Sequence, residues 1–212
     1  MSASESIRTQ DLIVVVADAD AKEAVEGLLR RPESLQIRPV RFTVDRYVKR
    51  DSGCYGTSHE YLRPFIRQFD HAIVFFDRHG SGRDTASRQD IETAVESQLE
   101  RNGWKGRSAA IVCDPELEIW VWSDSPEVDE VLGWRGREPA LRSWLVSQGL
   151  CDVETAKPSD PKEAMKRALR RVRKSPSPSQ FRALAGRVAV GRCEDRAFLK
   201  FKHTLQSWFS EQ

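Results

Sequence analysis

No stretch of this 212-residue sequence stays apolar for long. The longest runs, residues 12–17 and 72–76, fall far short of the roughly 18–20 residues of a membrane span, so no membrane association is expected. The opening residues, MSASESIRTQ, lack a basic start followed by an apolar core, which argues against a secretion signal and for a cytoplasmic location. Cysteine is scarce: Cys54, Cys113, Cys151 and Cys193 lie far apart, with no CxxC pair and no short-spaced histidine partner. That is the pattern of reduced structural thiols, not of a zinc site. Also absent are GxxxxGK[ST], GxGxxG and GxSxG, so a phosphate loop, a dinucleotide fold and a nucleophile-elbow hydrolase are not indicated. No internal repeat is visible.

What the chain does contain is strand and helix in alternation. Hydrophobic residues make up 39% and charged residues 31%, the balance of a folded globular protein. Residues 12–17 (LIVVVA) are short, continuous and largely β-branched, which predicts a strand buried on both faces. An acidic turn follows at Asp18 and Asp20, and then Ala21, Ala24, Val25, Leu28 and Leu29 form one helical stripe, with Gly27 inside it. Residues 36–44 place Val40, Phe42 and Val44 on one side, predicting a half-buried strand with Pro39 near its start or at an edge. Residues 45–57 are charged and glycine-containing, and read as a loop, either functional or simply solvated. Ser58 is the expected N-cap of the next helix, carried by Leu62, Phe65, Ile66 and Phe69.

The stretch HAIVFFDRHGSGRD, residues 71–84, has the grammar of a buried parallel strand that delivers Asp77 to the carboxyl edge of a sheet. A helix is predicted over 85–101, ended by Asn102 and Gly103. Residues 108–113 predict another buried strand. Residues 117–122 alternate and predict a further one, with Glu116, Glu118 and Trp120 on one side. Short helices are expected over 126–132 and 138–148. The peptide AKPSDPKEAM marks a boundary before a basic helix over 161–174, and SPSPS breaks the chain before helices near 180–190 and 195–209. This predicts an α/β domain over 1–156 with a mainly parallel sheet flanked by helices, and a small basic helical unit over 157–212.

Acids recur at strand ends or within strands: Asp18 with Asp20, then Asp77, then Glu116 with Glu118. Strand ends of a parallel sheet converge, so these oxygens could share a hard cation such as Mg²⁺; acids there also serve as ordinary turn residues and helix N-caps. Glu118 in an apolar segment is costly to bury unless paired or bound to a cation. His59 and His79 are further candidates near the acids, and the HGSGRD turn is a weak anion-binding candidate. Charge is unevenly spread. Between Lys162 and Lys202 there are 13 Lys/Arg against 3 Asp/Glu, while the whole chain is only +2, so the first 161 residues are net acidic. Lys166, Arg167, Arg170, Arg171, Arg173 and Lys174 could follow the phosphates of DNA or RNA, or could be a solvated helix face. No aromatic residue interrupts them, so base stacking is not indicated.

Five stretches together resemble a known family: residues 50–65 (RDSGCYGTSHEYLRPF), 71–84, 115–122 (PELEIWVW), 157–165 (KPSDPKEAM) and 193–209 (CEDRAFLKFKHTLQSWF). They resemble Toprim-like proteins of bacterial defence loci, and most closely the uncharacterised Toprim-related family of methylation-associated phage-defence systems. The resemblance implies a Toprim-like fold and an antiphage role among other proteins of a defence system. Toprim folds bind Mg²⁺ through a glutamate after the first strand and a later DxD pair, for cleavage or joining of nucleic-acid strands. Position by position this implies Asp18, Asp77 and Glu118 as ligands of Mg²⁺ or Mn²⁺ in a divergent nuclease, with His79 orienting water or phosphate. Asp18 stands where a glutamate is usual, and His79 where the second DxD aspartate is usual. On these departures rests the alternative implication, a catalytically degenerate Toprim-like partner or sensor within a defence complex.

Overall fold

The computed structural model describes residues 10–123, 125–154 and 157–211. Four strands carry the fold: β1 (Gln10–Val16), β2 (Phe42–Arg46), β3 (Phe69–Asp77) and β4 (Ser108–Cys113). All three pairings are parallel, in the order β2-β1-β3-β4. Between the strands run α1 (Ala19–Leu29), the short α2 (Pro32–Leu35), α3 (Arg50–Leu62) and α4 (Arg88–Leu99). After β4 come α5 (Pro126–Leu132), α6 (Leu141–Ser147), α7 (Pro161–Arg171), α8 (Pro178–Arg187) and α9 (Arg196–Trp208). The expected α/β class with a parallel sheet flanked by helices is the fold observed.

The two-residue period of a strand explains the layering. On β1, Leu12, Val14 and Val16 join a core formed with Val25 and Leu28 of α1 and with residues of α7, α8 and α9. Ile13, Val15 and Ala17 face the other way, toward Cys54 and Leu62 of α3 and Ile91, Val95 and Leu99 of α4. A strand covered on both faces needs no polar alternate, which is why residues 12–17 are uniformly apolar. Gly27, the apparent flaw in α1, marks a close approach: a Cβ there would lie 2.8 Å from Ala185 Cβ of α8.

Helices α7 to α9 share the apolar core of the α1 side of the sheet. Ala164, Met165, Ala168 and Leu169 of α7, Phe181 and Leu184 of α8, and Phe198, Phe201 and Leu205 of α9 are all buried in it. Buried tryptophans anchor them through their polar edges. Trp122 Nε1 donates to the Pro161 carbonyl at 3.0 Å, and Trp134 Nε1 donates to the Ala168 carbonyl at 3.1 Å.

Four expectations need correction. Residues 117–122 are not a strand; Leu117–Trp120 is a 3₁₀ turn, with Ile119 N–H donating to the Glu116 carbonyl and Val121 N–H to that of Glu118. The outer N–H groups of β4, where a fifth strand would pair, are already taken: Glu96 Oε1 accepts from Ala110 N–H at 3.0 Å and Glu92 Oε1 from Val112 N–H at 3.1 Å. Lys200 Nζ reaches both carboxylates, at 2.6 and 3.2 Å, so side chains of α4 and α9 seal this sheet edge. Residues 45–57 are not one long loop, because α3 begins at Arg50. Its buried positions are Gly53, Cys54, Ser58 and Leu62, mostly small or weakly apolar, so the helical stripe was hard to see. Ser58 is accordingly a buried interior residue of α3, not an N-cap. Finally, the strand expected over 36–44 is displaced to Phe42–Arg46; Arg38 N–H is instead bonded to the Phe209 carbonyl at 2.9 Å.

Phe201 tests whether the last helix belongs to the common core. It is fully buried, with its ring edge-on to Phe75 of β3 at 6.3 Å. Phe201→Ala is expected to lower unfolding stability in urea by about 3–5 kcal/mol, read by far-UV circular dichroism. A loss below about 1 kcal/mol would mean that α9 only rests on the surface.

Candidate active site

In the order β2-β1-β3-β4 the chain leaves β1 toward one edge and β3 toward the other, so the carboxyl ends of β1 and β3 form the topological switch point, the usual ligand position of open α/β sheets. Acids gather there. Asp18 follows β1 and caps α1, its Oδ1 accepting Ala21 N–H at 2.9 Å. Asp77 is the last residue of β3, and its Oδ1 accepts Leu117 N–H at 2.9 Å. Asp51, in the first turn of α3, accepts Asp77 N–H on its Oδ1 at 3.0 Å. Arg50 just before it holds φ at +53°, a left-handed conformation that costs a non-glycine residue about 1 kcal/mol or more. Gly80, at φ +89°, lets the turn after β3 fold against Asp51: a Cβ there would lie 3.1 Å from Asp51 Oδ2.

Glu118 is buried in the 3₁₀ turn after β4. Its cost is offset by Lys162 from the first turn of α7, whose Nζ lies 3.7 Å from Glu118 Oε1 and 3.1 Å from Glu116 Oε1. The placement of Lys162 is local chemistry: Asp160 caps α7 by accepting Glu163 N–H at 2.9 Å, and Pro161 occupies the first turn.

Burial and mutual repulsion raise these carboxyls. Burial lifts Asp77 well above the ordinary carboxylate range, and the charges of Asp51, Glu118 and Asp18 add to it. Asp51 is raised by burial despite the N–H it accepts from Asp77. Asp20 is raised by burial and then by Asp18, and Glu118 by burial against the pull of Lys162. For Lys162 burial works downward, but Glu118 and Glu116 outweigh it and hold the ammonium above its ordinary value. Lys162 is the cation that acts on Asp20, Asp51, Asp77 and Glu118 alike. Clustered, strongly perturbed carboxyls at a switch point mark a candidate catalytic site.

The expected residues divide accordingly. The charges of Asp18 and Glu118 both act on Asp77. His79 is exposed in the turn after β3, its backbone N–H bonded to the Pro115 carbonyl at 3.1 Å. His59 lies eight residues beyond Asp51 on α3, about 12 Å along the helix axis, so it stands away from the acids. Lys166, Arg170, Arg171, Arg173 and Lys174 are exposed on or just after α7; Arg167 donates to Gln148 Oε1 at 3.2 Å and Lys174 to the Val131 carbonyl at 3.1 Å. The functional residues not singled out from sequence are Asp51 and Lys162. Each sat in a quoted stretch, RDSG and KPSDPKEAM, but neither follows a strand, and only folding brings them to the acids.

The donors are all oxygens, which suit a hard divalent cation in kind. Among the described residues, however, no three His, Cys, Asp or Glu side chains form a ready ligand set. One oxygen each of Asp18 and Asp77 is engaged by a backbone N–H, and Lys162 draws Glu116 and Glu118. A cation would use the second oxygens and displace Lys162 from Glu118. An apolar cavity of about 260 Å³, lined in part by Leu28, Trp120, Phe181 and Phe198, lies on the α1 side of the sheet, and its lining includes none of these acids. In comparisons with family models, curated proteins and solved structures, the chain matches none.

The raised carboxyl of Asp77 sets a pH dependence. Between the ordinary carboxylate pKa and its own raised value, the folded protein binds more protons than the unfolded chain, so stability falls as pH rises through that window. Asp77→Asn keeps an oxygen for Leu117 N–H and removes the charge. In EDTA the variant is expected to melt above wild type at neutral pH, the difference closing as pH falls toward the ordinary carboxylate range. A difference in Tm that does not change with pH would refute a charged origin.

Proposed function

We propose that the acid cluster is a divalent-cation site for phosphodiester cleavage, making this protein a divergent Toprim-like nuclease component of a bacterial antiphage defence system. The observation that carries the reading is that the charges of Asp51, Glu118 and Asp18 all bear on Asp77 at the carboxyl edge of a parallel sheet, with Asp18, Asp77 and Glu118 in the roles that the family resemblance implies. The resemblance also supports action in the cytoplasm beside other defence proteins.

In this reading Asp18, Asp77 and Glu118 hold Mg²⁺ or Mn²⁺. Such a cation, when bound, activates water and neutralises charge on the phosphoryl oxygens. Asp51, which joins the acids by accepting Asp77 N–H, takes the proton of the attacking water as general base. The water oxygen bonds to phosphorus, the ester P–O bond breaks, and the leaving oxygen takes a proton from solvent. Lys162, freed from Glu118, offers its ammonium to the phosphate, and His79 at the exposed rim orients it.

Lys162 also favours a second reading. An ammonium 3.7 Å from Glu118 and 3.1 Å from Glu116 can stand in for a metal, as in a non-enzymatic partner or sensor of a defence complex. Thermal shift with Mg²⁺ and Mn²⁺, together with cleavage of labelled oligonucleotides, separates the two. For the enzyme, cation at a hundredfold its Kd stabilises by about 2.7 kcal/mol; Asp77→Ala loses both the shift and cleavage, and Lys162→Gln binds cation more tightly because its competitor is gone. No shift and no cleavage in wild type would overturn the enzymatic reading and support the partner.

A further inference from the structure

Helix α7 connects the acid cluster to a cationic surface. Its inner face, Pro161, Ala164, Met165, Ala168 and Leu169, is buried, so the opposite face is held toward solvent. Lys162 stands half-exposed at the border of the buried face, and Lys166 and Arg170 follow it onto the exposed face at intervals of four residues, each the neighbour of the last along the helix. Lys162 reaches the acids. Lys166, Arg170 and the adjacent Arg171 are exposed, and among the described residues no ion pair or hydrogen bond engages their side chains. Cations in a last turn ordinarily complement the helix dipole, which accounts for Arg170 and Arg171. It does not account for Lys166 in mid-helix or for the row it completes. The one acid of α7, Glu163, lies in the first turn, where the dipole favours it.

Members of the row are spaced about 6 Å along the axis, close to the separation of neighbouring phosphates on an extended nucleic-acid strand. We propose that the substrate is a single-stranded nucleic acid whose backbone lies along the exposed face of α7. Phosphates pair with Arg170 and Lys166, and the next is delivered to the acid cluster beside Lys162. This names the substrate of the site proposed above and rests on its reading as a phosphodiester site. A duplex fits less well. A helix reads B-DNA by entering a major groove about 12 Å wide, and α7 has its inner face packed into the core. With no aromatic residue in the row, bases are not stacked, and binding is sequence-neutral and salt-sensitive.

Fluorescence anisotropy in EDTA, using the full chain, a labelled single-stranded 20-mer oligonucleotide and a hairpin duplex, tests this. Wild type is expected to bind the single strand more tightly than the duplex. Losing two phosphate contacts in the Lys166→Gln/Arg170→Gln double variant should flatten the plot of log affinity against log salt by about 1.4 and weaken binding about 25-fold at 0.1 M salt. Unchanged melting of this surface variant confirms that it is folded. Equal affinity of the two proteins, tighter binding of the duplex, or competition by polyglutamate as effective as by oligonucleotide would overturn the proposal, the last in favour of an acidic protein partner. Single-strand binding that the double variant loses, in a protein that cleaves nothing with any divalent cation, supports the track and overturns the enzymatic reading. Metal-dependent cleavage without strand binding along α7 overturns the track and leaves the acid site standing.

Discussion

The end of β3 is where the molecule is tied together. Asp77 gives its backbone N–H to Asp51 and takes the N–H of Leu117 on its carboxylate, so a strand, the start of α3 and the turn after β4 meet at one residue. Each bond moves a second acid inward, Asp51 in the first case and Glu118 in the second. Burial first, and then like charges in a medium that screens them poorly, raise the carboxyls of Asp77, Asp51 and Glu118. The arrangement persists because backbone donors and one ammonium offset that cost.

That ammonium comes from far along the chain. Lys162 lies in the first turn of α7, and α7 is held in place by Ala164, Met165, Ala168 and Leu169 in the core on the α1 side of the sheet. Apolar packing on one face of the sheet therefore sets the electrostatics at its carboxyl edge. The same division of labour appears at the outer edge of β4, where Glu92 and Glu96 take the free N–H groups and Lys200 of α9 balances them. In both places the C-terminal helices contribute apolar surface to the core and a lysine to a pair of acids of which one, Glu118 or Glu92, is buried.

Strands β1, β3 and β4 were legible because they are short continuous apolar runs, helices α1, α4 and α9 because their apolar stripes repeat at helical spacing, and α7 because two prolines and a Ser-Asp cap precede a basic run. Two of the acids, Asp18 and Asp77, were legible for a related reason: they sit at or just after strands that period and composition mark as reaching the carboxyl edge; Glu118 was legible only as a carboxylate that is costly to bury in an apolar segment. Residues 117–122 were misread because a 3₁₀ turn buries Leu117, Glu118 and Val121 with the same mixed pattern that a half-buried strand shows. Helix α3 was missed because its inner face is built from Gly53, Cys54, Ser58 and Leu62, which carry little periodic hydrophobicity.

Sequence alone determined the α/β class, the buried parallel strands and the acids at their ends, since these follow from local period and composition. Only the tertiary structure decided that Asp51 and Lys162 join those acids, that Leu117–Trp120 turns instead of pairing, and that α7 sets Lys162 against the acids while Lys166 and Arg170 stay exposed. Those outcomes depend on groups far apart in sequence, such as Lys162 acting electrostatically on Asp51 and Leu117 bonded to Asp77, which no local pattern encodes. Asp77 thus entered as a carboxylate at a strand end, and the fold made it the junction of strand, helix and turn in a cluster held by a lysine.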